Sequence, residues 1–88
     1  MQVFGGTILP FKGADYFTEE GERKRQAVND WIRTSTMFDA VIDFDAALRD
    51  PADPQRLLAE YDSGDRLHPS DAGYEAMGNA IDLELFQR

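Results

Sequence analysis

Apolar and polar positions alternate in blocks that mark out a small number of elements. Residues 2–9 hold Val3, Phe4, Thr7, Ile8 and Leu9, all suited to a strand, and Pro10 ends any ladder they build. Gly5 and Gly6 mark a place where backbone or ligand comes close. Residues 11–17, around Gly13, read as a loop. Thr18 has the character of an N-cap, with Glu19, Glu20 and Glu22 in the first turn, where the helix dipole favours negative charge. Ala27, Val28, Trp31 and Ile32 then recur at helical spacing. This predicts an amphipathic helix that ends near Thr34-Ser35-Thr36 and packs Trp31 against the sheet.

Residues 38–44 predict a second strand centred on Val41, Ile42 and Phe44. Its apolar residues point both ways, as in a parallel strand covered on both faces. Asp43 is read as the end of that strand. Residues 45–55 predict a loop or short helical turn, because Pro51 and Pro54 limit regular structure, and residues 56–61 add one helical turn. Asp62-Ser63-Gly64-Asp65 is a turn signal. Ser70 caps a last helix whose buried stripe is Tyr74, Met77, Ile81 and Leu85.

The order is strand, helix, strand, loop, helix: an α/β chain with one right-handed crossover between parallel strands. Two strands alone are marginal in water. Both carry more apolar side chains than two helices can cover. Further strands, from a missing N-terminal segment or a partner chain, are therefore expected to complete the sheet; a small self-sufficient α/β unit is the alternative.

Length and charge narrow the function classes. Eighty-eight residues allow one domain with a small core. A net charge of -8 repels polyanions, which makes nucleic acids and anionic membrane surfaces poor partners. No apolar run reaches the roughly 18 residues of a membrane span, and no basic-then-apolar signal peptide opens the sequence. The absence of cysteine excludes disulfides and thiol nucleophiles. Lys12 and the run Arg23-Lys24-Arg25 read as a solvated face.

One cluster carries chemistry. His68 is the only histidine, and Asp65 precedes it by three residues on a turn. A carboxylate so placed can accept from the imidazole Nδ1–H, fix the tautomer and leave Nε2 free to take a proton. The spacing also fits a simple turn in which Asp65 caps backbone N–H groups. Asp62, Asp65 and His68 further offer a candidate set for a divalent cation, against a plain solvated acidic turn.

The string Asp65-Arg66-Leu67-His68-Pro69, followed by Gly73-Tyr74, resembles the last block of the GDSL/SGNH hydrolases, serine esterases and lipases on a flavodoxin-like sheet. The resemblance extends to residues 5–10, 28–33 and 38–44. It implies that residues 1–88 are the C-terminal part of an SGNH three-layer domain. Asp65 and His68 would be the acid and base of a catalytic triad, acting on a carboxylic ester without cofactor or metal. Thr7 is a candidate substrate contact, near the carboxyl end of its strand. The family's Gly-Asp-Ser nucleophile segment is absent, and so is the glycine of its oxyanion hole. Ala27-Val28-Asn29-Asp30 looks like the oxyanion Asn block but lacks its glycine and sits within a helix, so Asn29 is expected to be solvated or capping. The isolated chain is then expected to be inactive. Complete members are often secreted. The alternatives are a non-catalytic module that forms a homodimer through its open strand edge, and a metal-binding module.

Overall fold

The computed structural model describes residues 2–83. Leu85 lies outside them. The elements are β1 (Phe4–Gly6), α1 (Glu19–Thr34), β2 (Ala40–Ile42), α2 (Phe44–Leu48), β3 (Arg49–Asp50), β4 (Asp53–Leu57), a single 3-10 turn (Ala59–Tyr61) and α3 (Asp71–Asn79). The chain is thus a mixed α/β unit. β1 pairs with β2 in parallel, Gly5 opposite Val41, with α1 as the crossover between them.

Both strands are shorter than their apolar runs. Beyond β1, Thr7 N–H still donates to the Ile42 carbonyl at 3.2 Å. Ile8 then leaves the ladder, because the Asn29 side chain on α1 takes both of its backbone groups: Ile8 N–H donates to Oδ1 at 2.7 Å and Nδ2 donates to Ile8 O at 2.9 Å. The glycines of β1 admit aromatic rings rather than a ligand. A Cβ on Gly5 would stand 2.9 Å from the Phe38 ring, and one on Gly6 3.0 Å from that of Phe44.

Helix α1 starts where expected, with Gly21 N–H donating to the Thr18 hydroxyl at 2.9 Å, and is closed by Ser35 N–H on Trp31 O. Its buried face differs from the expected one. Glu22, Arg25, Asn29 and Ile32 are buried, whereas Val28 and Trp31 are 42% and 53% exposed. Trp31 is therefore not a core residue; it meets Phe38 edge-on, ring centroids 5.6 Å apart. Arg25 leaves its basic neighbours and turns inward, while Lys24 stays in solvent near Glu20, as a solvated face requires. Three of the four inward positions are polar because they meet the charged ends of other elements, not a sheet face.

The helical turns expected within residues 45–61 are α2 and the 3-10 turn, but residues 49–57 between them form the antiparallel hairpin β3–β4 rather than loop or helix. Asp50 Oδ1 accepts from Ala52 N–H at 2.9 Å and closes the turn around Pro51. Pro54 is tolerated because both strands of a two-stranded ribbon are edges, and the register shifts between Arg49 and Asp50. Helix α3 packs on α2 and on the 3-10 turn. Of its expected stripe, Tyr74 is 57% exposed, Met77 is half-buried and Ile81 lies beyond the helix end. Gly73 is the buried position instead, since a Cβ there would stand 2.6 Å from Tyr61 O.

Candidate active site

The loop between the 3-10 turn and α3 is built by two aspartates. Asp62 Oδ1 accepts from the N–H groups of Gly64 at 2.8 Å and Arg66 at 2.9 Å. Asp62 also bridges Pro69, and Ser63 N–H donates to His68 O at 3.1 Å, so residues 62–69 close on themselves. Asp65 divides its two oxygens. Oδ1 accepts from the N–H groups of Leu67 at 2.9 Å and His68 at 2.8 Å, and from the Ser63 hydroxyl at 3.2 Å. Oδ2 lies 2.6 Å from His68 Nδ1. The two readings of the spacing are thus both realised: one oxygen caps the turn, the other meets the ring.

The consequence is electrostatic. The His68 imidazole, followed by the N–H groups of His68 and Leu67, holds the Asp65 carboxyl well below the usual carboxylate range. It stays ionised at any neutral or mildly acidic pH. His68 is 66% exposed in its side chain, and no described residue bonds its Nε2. The loop is fixed from behind by Ser70, which accepts from Gly73 N–H at 3.1 Å and donates to Glu60 O at 2.7 Å. An ionised carboxylate on Nδ1 and an open Nε2 can act as a general base toward any hydroxyl brought to that face.

The three serines give no such hydroxyl. Ser63 bonds Asp65, Ser35 accepts from Met37 N–H and Ser70 caps α3. Asp62 Oδ1 holds two backbone N–H groups, and among the described residues no cluster of His, Asp or Glu is arranged to hold a metal ion. The described residues also enclose no pocket.

A family model, GDSL-like Lipase/Acylhydrolase, matches residues 2–81, almost the whole chain. The chain belongs to this family. No curated protein matches it. Membership makes a hydrolase-type reading of the His68 loop the one to pursue, and the same match spans the polar cluster at the carboxyl ends of β1 and β2.

That cluster is what the sequence did not reveal. Thr7, expected to line a substrate cleft, is buried: its hydroxyl donates to Asp43 Oδ1 at 3.0 Å and accepts from Asp45 N–H at 2.9 Å. Asp43 caps α2 rather than merely ending β2, and accepts from Arg33 Nε at 2.8 Å. Arg33 also reaches Asp45 at 2.8 Å, and buried Arg25 bridges Glu22 at 2.7 Å and Asp45 at 2.8 Å. Arg33 and the Ala46 N–H lower Asp43 to about 2 against the opposing effect of burial. Asn29 is fully buried on Ile8, neither solvated nor capping. The one signal was the helical spacing of Glu22, Arg25, Asn29 and Ile32, a stripe that a search for apolar residues passes over.

Proposed function

We propose that these residues supply the acid and base of a serine carboxylic-ester hydrolase whose nucleophile lies on a segment outside them. The observation that carries this reading is the 2.6 Å contact between Asp65 Oδ2 and His68 Nδ1, with the rest of the imidazole open to solvent. A serine hydroxyl brought to Nε2 loses its proton to His68 as its oxygen attacks the ester carbonyl. Asp65 stabilises the imidazolium, which then protonates the departing alcohol. Water, deprotonated by the same nitrogen, releases the acid. The oxyanion donors come with the nucleophile, since Asn29 is occupied by Ile8. In this reading residues 1–88 are a partial SGNH domain, and the β1–β2 pair is completed into a flavodoxin-like three-layer sheet. The chain by itself is inactive, because no serine here stands at Nε2.

The test joins or co-expresses the chain with an α/β segment containing Gly-Asp-Ser and follows p-nitrophenyl acetate hydrolysis. Activity that depends on both parts and falls to background in His68→Ala supports the reading. Full activity in His68→Ala sinks it. A second reading rests on the half-exposed Val3, Ile8 and Trp31 and the exposed Met37: the unit pairs with its own copy and is not catalytic. Sedimentation of the chain alone separates the two, a stable dimer favouring the second.

A further inference from the structure

Asp65 meets the imidazole on an open loop. Residues 63–66 and His68 are all exposed, so packing does not hold the pair together. Backbone geometry does. Asp65 takes the N–H groups of Leu67 and His68 on Oδ1 and the ring on Oδ2 only while residues 65–68 keep one tight turn. That turn passes through Arg66 at φ 59°, in the left-handed region that L side chains rarely adopt. Among the described residues Arg66 is the only one besides glycines with a positive φ. Such a conformation persists where its surroundings impose it.

The imposing group is Asp62. A single oxygen, Oδ1, accepts from Gly64 N–H at 2.8 Å and from Arg66 N–H at 2.9 Å. These amides flank Asp65 on either side in the chain, so one acceptor fixes both of its neighbours. Asp62 is anchored in turn. Its N–H donates to Ala59 O at 3.3 Å, it bridges Pro69, and the next residue, Ser63, donates its N–H to His68 O at 3.1 Å. It is half-buried where the residues after it are exposed, and it joins the 3-10 turn to the loop.

We infer that Asp62 is a positioning residue for the Asp65–His68 pair: by accepting from the amides on both sides of Asp65 it holds Arg66 left-handed and keeps Asp65 Oδ2 on the imidazole. It acts through Asp65 rather than on the ring. The role needs an acceptor oxygen at that place and not a negative charge, so Asn can fill it. Its meaning for catalysis rests on reading His68 as the general base; the positioning itself does not.

The ring nitrogens of His68 report the pair in the 88-residue chain without any hydrolysis. Proton–nitrogen correlations of the ring are recorded by NMR at a pH where the imidazole is neutral. The unaltered chain should show one tautomer, with Nδ1 protonated and Nε2 bare. Asp62→Ala should replace that pattern with the mixture an unrestrained imidazole gives, while the amide signals of α1 and β1 stay in place. Asp62→Asn should keep the single tautomer; it preserves the turn chemistry and so keeps the inference decidable should Asp62→Ala not fold. Arg66→Gly added to Asp62→Ala should recover the single tautomer, since glycine enters the left-handed region freely. A single tautomer retained in Asp62→Ala, its loss in Asp62→Asn, or a double variant no better than Asp62→Ala overturns the inference. In a completed hydrolase Asp62→Ala should lower kcat about tenfold with KM unchanged, and an unaltered kcat removes the role in catalysis. A failure of the complementation assay leaves the ring measurement standing, and a failure of the ring measurement leaves the reading of Asp65 and His68 to that assay.

Discussion

His68 has one ring nitrogen engaged and one open, and Asp65 decides which is which. Asp65→Asn keeps an acceptor near Nδ1 but also presents donors, so the tautomer is no longer fixed. In the 88-residue chain the downfield Nδ1–H proton of His68 should disappear. In a completed hydrolase kcat should fall by about three to four orders of magnitude, with much smaller change in KM. A retained Nδ1–H signal would show that something other than the carboxylate orients the ring. A second carboxylate has a measurable acid signature. Asp43 is lowered to about 2 by Arg33, so the pairing stabilises the fold fully above the unfolded value, near 4, and loses that contribution as pH falls through about 2. Its side chain is 36% exposed, so solvent screening leaves the contribution at about 1 kcal/mol. Asp43→Asn should therefore lower stability at pH 7 by that amount and by almost nothing at pH 2, as urea unfolding at the two values would report.

Helix α1 is tied to the end of β1 through Asn29 and Arg25. Asn29→Ala removes both Asn29 bonds to Ile8; the Ile8 carbonyl keeps Arg25 Nη1 at 3.2 Å, but its N–H loses its partner, a loss of about 1–3 kcal/mol. That is a large share of what so small a unit can have, so the variant should lose its cooperative urea transition at 25 °C. An unaltered midpoint would mean that water replaces the amide. Gly73→Ala acts at the other end. Its Cβ would meet Tyr61 O at 2.6 Å and the Pro69 Cβ at 2.8 Å, pushing α3 off the 62–69 loop and moving the His68 ring signals. The caps of α1 and α3, the turn at residues 62–65 and the Asp65–His68 contact were legible in the sequence, because each rests on neighbours within four residues, and the crossover was legible from the order of the elements. The hairpin was not, since its prolines argue against strands unless both strands are known to be edges. The inner face of α1 was not either. Arg25 and Asn29 are buried by partners 17 to 21 residues away, Ile8, Asp45 and their surroundings, which no local pattern displays.

The whole molecule is uneven in how it covers its apolar groups. Pro10, Ala14, Ile32, Leu48 and Leu57 are the buried apolar side chains among the described residues, a small core beside the polar one of Thr7, Glu22, Arg25, Asn29 and Asp45. On the other side of the balance Val3, Ile8, Trp31 and Met37 are between 44% and 73% exposed. Under the proposed function another part of an α/β sheet covers these side chains, because a parallel pair is stable when strands and helices close it on both sides. Covering a half-exposed side chain of this size is worth about 1 kcal/mol, so assembly with a Gly-Asp-Ser segment should add about 4 kcal/mol to the stability of the unit. The chain alone should bind an apolar fluorescent dye at neutral pH, and the signal should fall by more than half in the assembled form, with the urea midpoint rising in parallel. Self-pairing would instead remove dye binding as the chain is concentrated, with no second segment present. Should the dilute chain fail to bind the dye at all, the exposed apolar groups are packed in solution and the case for a completing segment loses its thermodynamic basis.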